Sequence, residues 1–160
     1  MRECLRISEK TGYKHFFYGD TPETLKSLEA KLKSEFPRLN IVGTLSPPFR
    51  ELTPNEIENE RRIINDSGCD VLWVGLGLPK QEQWISQNMV HLNASVAIGV
   101  GASFKFLSGK VKREPAIIGE NGLEWIWRFA HEPRRMWRRA LIDTPHFIFY
   151  LILELSLIHI

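Results

Sequence analysis

Val71-Leu72-Trp73-Val74-Gly75-Leu76-Gly77-Leu78-Pro79-Lys80-Gln81-Glu82 decides the fold. An apolar run of strand length enters two closely spaced glycines, and a proline then stands where a helix opens. Val96-Ala97-Ile98-Gly99-Val100-Gly101-Ala102-Ser103-Phe104 repeats the pattern. Each stretch reads as a buried parallel strand running into a glycine turn and then a helix. Such a turn points bare backbone N–H groups at a ligand, and a helix N-terminus favours a negative one. Gly75, Gly77, Gly99, Gly101 and Ser103 are therefore candidate binding residues for a phosphorylated molecule. Glycines needed only for tight packing would give the same spelling.

Outward from these turns, strand and helix alternate. Residues 1–11 read as the end of a helix expected to begin earlier, and residues 14–18 as a strand closed by Gly19-Asp20. Thr21 and Pro22 supply an N-cap and a first helical residue. Leu25, Leu28, Leu32 and Phe36 fall at helical spacing, and Pro37 ends that helix. Residues 39–42 read as a second strand, Ser46-Pro47-Pro48-Phe49-Arg50 as a stiff loop, and Thr53-Pro54-Asn55-Glu56 as the start of a helix reaching about Ser67. Residues 70–74, 79–89 and 96–100 complete the series as strand, helix and strand. The pattern predicts an α/β fold, a Rossmann-like open parallel sheet flanked by helices. In such sheets ligands lie beyond the carboxyl ends of the strands, the edge where both glycine turns sit.

Beyond Lys110 the strands stop and a basic, aromatic character takes over. From Trp125 to Ile142 there are five arginines and one glutamate, about +4 on a chain whose formal net charge is +2. The predicted organisation is a core over residues 1–121, a basic membrane-associated helical appendage over 122–154, and a tail over 155–160. Arg135 and Arg138 are three apart and share a helical face. Arg128 can approach them if the chain bends at Pro133. Three such guanidinium groups suit a diphosphate, each charged hydrogen bond being worth roughly 1.5–3 kcal/mol. Trp125, Trp127, Trp137 and the apolar run 147–153 suit an interfacial helix on an anionic membrane surface. A solvated basic face over an aromatic core also fits these residues.

Several classes are disfavoured. Cys4 and Cys69 lack partners at ligand spacing, which argues against a disulfide or zinc framework and for a reducing, cytoplasmic setting. There is no apolar run of about 18 residues, and residues 1–10 lack the apolar core expected of a signal peptide. The histidines show no metal spacing, and His15, in an apparent strand, reads as structural. No Asp-x-Asp pair occurs, so a metal-chelated nucleotide diphosphate is not indicated; the expectation is no metal and no cofactor. Lys80 and Phe104 occupy the third glycine position of a dinucleotide fingerprint, and no Walker A sequence is present. A nucleic-acid partner is not expected, because the basic segment is short and carries the apolar run. Pro79, Lys80, Gln81 and Glu82 remain as a helix start with one amide able to grip a sugar hydroxyl or phosphate; a plain capped helix fits equally.

These pieces in this order resemble the bacterial WecG/TagA/CpsF-type glycosyltransferase family (family 26), which includes N-acetylmannosaminyl and N-acetylmannosaminuronyl transferases. The resemblance runs from His15-Phe16-Phe17-Tyr18-Gly19 to Phe149. It takes in Phe36-Pro37-Arg38-Leu39, Ser46-Pro47-Pro48-Phe49-Arg50, both glycine turns, Gly109-Lys110-Val111-Lys112-Arg113 and Gly122-Leu123-Glu124-Trp125 through Arg139. It implies an inverting, metal-independent transfer of a hexosamine-type sugar from a UDP-sugar donor to a polyprenyl-diphosphate-linked sugar acceptor. The setting it implies is surface polysaccharide or teichoic acid synthesis, peripheral on the inner face of the cell membrane, and homo-oligomers are compatible with it. By resemblance, Gln81, Arg128, Arg135 and Arg138 are the catalytic candidates. Gly19, Gly75, Gly77, Pro79, Lys80, Glu82, Gly99, Gly101 and Ser103 are the substrate-binding ones.

Three departures accompany the resemblance. The family's N-terminal segment with its Asp base precedes the start of this chain, so the expectation is an N-terminally truncated fragment that is inactive alone. Lys105 stands where an Asp is common, and Glu114 where Ala is usual. A non-catalytic nucleotide-binding or membrane-docking module of the same fold is the alternative. Leu155-Ser156-Leu157-Ile158-His159-Ile160 matches the translation of a sequencing adapter and is expected to carry no function.

Overall fold

The computed structural model describes residues 1–110, 144–145 and 149–150. The chain divides into two units, Met1–Lys112 and Arg113–Ile160. In the second, residues 144–145 and 149–150 are helical and exposed, and the rings of Phe149 and Tyr150 meet edge-on with centroids 6.0 Å apart. Arg128, Arg135 and Arg138, the aromatic residues around them, Glu114 and residues 155–160 lie outside the described residues.

The first unit runs α1 (Arg2–Thr11), β1 (Lys14–Gly19), α2 (Pro22–Glu35), β2 (Asn40–Leu45), α3 (Pro54–Asp66), β3 (Val71–Gly75), α4 (Lys80–Asn88), a 3-10 turn (Met89–His91), β4 (Val96–Gly99) and α5 (Ser103–Leu107). The strands form one sheet in the order β2-β1-β3-β4, with every neighbouring pair parallel. This is the expected Rossmann-like α/β architecture. No described helix is long and apolar enough to cross a membrane.

Local chemistry sets the helix starts. The Thr21 hydroxyl accepts from the Thr24 amide, with Pro22 opening α2. Thr53 and Glu56 form a reciprocal capping box at α3, again followed by proline. The predicted stripe Leu25, Leu28, Leu32 and Phe36 is buried. It packs with Leu5, Phe17, Trp73, Phe104 and Leu107 on one face of the sheet. Phe16, Tyr18, Leu72 and Val74 point the other way and pack with Ile64 of α3 and Trp84 and Ile85 of α4. Alternation along β1 and β3 thus feeds two cores, as a sheet covered on both sides requires.

Two expectations about strands need correction. The second strand continues through Gly43-Thr44-Leu45, past the predicted end at residue 42. Gly43 lies directly beneath the Phe16 ring, where a side chain would collide, so the glycine that seems to break the strand is what lets β2 pair there. Among the described residues the stretch 96–99 is an edge strand rather than a buried one, with Val96 and Gly99 exposed.

Candidate functional site at the carboxyl edge of the sheet

The chain moves from β1 outward to β2, then crosses back to β3 on the other side of β1. The strand order therefore reverses between β1 and β3, and the loops after these two strands diverge to opposite faces. This is the topological switch point at which open parallel sheets bind ligands.

At the switch point the two central strands touch. Gly19 pairs with Gly75, and a Cβ on Gly19 would fall 2.7 Å from the Gly75 carbonyl carbon. A Cβ on Gly75 would meet the Phe104 ring at 2.6 Å. Both glycines are thus required by packing. Gly77 is different. Its φ is +77°, and nothing lies within 4 Å of where its Cβ would be. The amides of Gly77 and Leu78 make no hydrogen bond among the described residues. Leu78 is exposed, and its bond to Pro79 is cis. Pro79 occupies the N-cap of α4, and Lys80 takes the first helical position expected for the proline. Lys80 and Glu82 are exposed on that first turn. The β3–α4 turn keeps the open amides and helix terminus that the sequence predicts.

The second glycine turn does not. The Gly101 amide donates to Gln81 Oε1 at 2.8 Å, and Gln81 Nε2 donates to Glu82 Oε1 at 2.8 Å. Gln81 is 5% exposed, and a Cβ on Gly99 would come within 2.8 Å of its Nε2. The expected bare amide at Gly101 is therefore covered by the side chain that was expected to grip substrate. Gln81 fastens the start of α4 to the end of β4, and Gly99 makes room for it. Ser103 opens a five-residue helix, and its amide is turned back onto the Val100 carbonyl at 3.1 Å. Lys105, in the same helix, is exposed.

The sequence reading left three further features of this edge unassigned. Asp20 follows Gly19 with φ +56°, the one non-glycine of positive φ among the described residues. Its carbonyl accepts from Ser46 Oγ at 2.5 Å, and its Oδ1 accepts from the Thr21 amide at 2.8 Å. The only signal was a non-glycine wedged between a strand-closing glycine and a Thr-Pro cap. Second, the Ser46-Pro47-Pro48-Phe49-Arg50 loop is tied at both ends, by Ser46 to Asp20 and by Arg50 to Glu56 of the capping box at 2.5 Å. The Arg50 guanidinium holds the Glu56 carboxyl down at about 2. Between these ties Phe49 is 85% exposed. Third, Lys110 Nζ reaches Thr24 Oγ1 at 3.2 Å, which brings a cation to the first turn of α2.

Two buried polar pairs lie on the sheet, one near its carboxyl edge and one toward its amino edge. Tyr18 donates to Glu60 at 2.6 Å and stacks on Trp84. Burial raises both groups above their ordinary values, with the Glu60 contact adding to the effect on Tyr18. His15 Nδ1 accepts from Trp73 Nε1 at 3.0 Å, while its Nε2 is buried without a partner. Desolvation lowers this imidazole to about 4, so it is neutral with its proton on Nε2. His15 is the structural residue that its strand position suggested.

The edge therefore offers open amides and a helix N-terminus beside β3, a fastened carboxylate beside β1, and a proline-stiffened loop beside β2. The family model described as the Glycosyl transferase WecG/TagA/CpsF family matches residues 1–158. With that match spanning nearly the whole 160-residue chain, and with the parallel sheet and its switch point in place, this protein belongs to the WecG/TagA/CpsF family of glycosyltransferases.

Proposed function

We propose that the carboxyl edge of this sheet binds a UDP-sugar and that the protein transfers its hexosamine-type sugar, with inversion, to a polyprenyl-diphosphate-linked sugar. The observation that carries the reading is the β3–α4 turn. The Gly77 and Leu78 amides are unpartnered among the described residues, the space at Gly77 is open, and α4 begins immediately behind them. Such a turn suits the diphosphate of a nucleotide sugar. In the reaction the acceptor hydroxyl attacks the anomeric carbon, its proton passes to a base, and the bond to UDP breaks with its electron pair leaving on the phosphate oxygen. The charge on departing UDP is then held by oriented amides and by Arg128, Arg135 and Arg138 of the appendage. Electrostatic stabilisation of this kind is often the largest single contribution to catalysis. Gln81 acts by holding the two turns in place. The acceptor's lipid tail and the basic, aromatic appendage both favour work at the inner face of the membrane, within surface polysaccharide or teichoic acid synthesis.

The test is titration of the protein with UDP and a UDP-hexosamine, followed by incubation with a polyprenyl-diphosphate-sugar in detergent. Saturable nucleotide binding with release of UDP and extension of the lipid-linked sugar supports the reading. Binding without product supports a non-catalytic module of the same fold, and absence of binding ends the proposal.

A further inference from the structure

We propose that Asp20 is a specificity residue that accepts a hydrogen bond from a sugar hydroxyl of the bound nucleotide sugar. The inference rests on the nucleotide-sugar reading above and adds to it the side chain that reads the hydroxyl-bearing part of the ligand.

Asp20 follows Gly19 at the end of β1, on the opposite side of the switch point from the open β3–α4 turn. Its backbone is left-handed, a conformation disfavoured for residues with a Cβ and free for glycine. Glycine would satisfy the backbone dihedrals there, and one carboxylate oxygen is enough for the Thr21 amide, so the turn leaves the second oxygen unused. The residue is 9% exposed and forms no ion pair among the described residues. Its position is fixed from two directions, through its carbonyl by Ser46 Oγ and through Oδ1 by the Thr21 amide. The second oxygen, Oδ2, has no hydrogen-bond partner among the described residues. A positioned carboxylate oxygen without a protein partner is an acceptor that a donor on a ligand can take up in place of water.

The chemistry of the donor follows from charge. A carboxylate repels phosphate and pairs with O–H or N–H groups. The open amides of Gly77 and Leu78, one strand away, have the opposite preference. A ligand with a diphosphate next to a polyol meets both demands when its diphosphate lies beside β3 and its hydroxyls beside β1. Ribose and hexosamine both carry such hydroxyls, and the experiment separates them.

The clean variant is Asp20→Asn. Asparagine tolerates the left-handed conformation, keeps an oxygen for the Thr21 amide, and replaces the free acceptor by an NH2 donor. Asp20→Gly is the second variant, since it keeps the turn and removes the carboxylate. Binding of UDP, 2′-deoxy-UDP and a UDP-hexosamine is measured by calorimetry for the wild type and both variants, with melting temperature as the folding control. The expected result is tenfold or greater weakening, roughly the loss on removing a hydrogen bond to a charged group, with Asp20→Asn melting like the wild type. A loss already seen with UDP but absent with 2′-deoxy-UDP assigns the ribose 2′-hydroxyl. A loss confined to the UDP-hexosamine assigns the transferred sugar. Wild-type affinity in both variants for all three ligands overturns this inference and leaves the nucleotide-sugar reading intact. No binding of any ligand by the wild type overturns both.

Discussion

Replacing Gln81 by alanine tests whether that side chain is a fastener. In the wild type its Oε1 holds the Gly101 amide and its Nε2 holds Glu82, both at 2.8 Å. Gln81→Ala removes one hydrogen bond to a backbone donor at a partly buried turn and one to a carboxylate at an exposed position. The first costs about 1–2 kcal/mol, because water reaches Gly101 only in part, and the second adds a few tenths. With some packing lost as well, the expected destabilisation is about 2 kcal/mol, or roughly 4–8 °C in melting temperature for a domain of this size. Gly99→Ala attacks the same fastener from the other side. Its new Cβ would stand 2.8 Å from Gln81 Nε2 and 3.0 Å from Cδ, so the amide group must leave its partners. That single variant is expected to cost about 1–2 kcal/mol. In the double variant the methyl added at Gly99 occupies space that the glutamine side chain no longer fills, and its added cost nearly vanishes. Urea unfolding of the four proteins then gives a coupling energy of about 1–2 kcal/mol. Additive costs within about 0.5 kcal/mol would refute the fastening role.

The buried polar pairs and the appendage give three more tests. His15 is held near 4 against an ordinary value of 6.5, so the unfolded chain takes up its proton first as pH falls. Stability from neutral His15 is complete above pH 6.5 and is lost toward pH 4, by about 2 kcal/mol between pH 7 and 5. His15→Gln keeps an acceptor for Trp73 and flattens that slope; an unchanged slope would contradict the assignment. Tyr18→Phe leaves the buried Glu60 without its donor and is expected to cost about 2–3 kcal/mol by urea unfolding, whereas adding Glu60→Leu recovers part of the loss. A wild-type-like Tyr18→Phe would show that Glu60 is satisfied otherwise. Arg135→Ala in an active preparation is expected to lower turnover about 10- to 100-fold, the equivalent of one charged hydrogen bond, with little change in melting temperature. Unchanged turnover would count against a diphosphate-binding role for Arg135.

The fold was legible where local chemistry governs it. Thr21-Pro22 and Thr53-Pro54 announce helix starts by their own side chains, and the Leu25-Leu28-Leu32 stripe announces a buried face by spacing. The end of β2 was obscured because Gly43 owes its place to Phe16, twenty-seven residues away in sequence. The edge status of β4 depends on strand order, which no local window contains. At the site, the sequence marks the glycines as special positions for one shared reason, and the structure separates four. Gly19 and Gly75 serve a close strand contact and the Phe104 ring, Gly99 serves Gln81, and Gly77 combines positive φ with open space. The double engagement of Gln81 and the fixed carboxylate of Asp20 arise from contacts between separate loops. A single sequence displays the residues for both and the geometry for neither.

The claim on which the rest depends is that a nucleotide diphosphate meets the backbone at the β3–α4 turn. Backbone amide NMR of the protein titrated with UDP addresses it directly. The account predicts saturable shifts that are largest at Gly77 and Leu78 and extend to the first turn of α4 and to Asp20. Saturation with these amides unmoved, and the shifts clustered at the opposite edge of the sheet or on a helical surface, would contradict it.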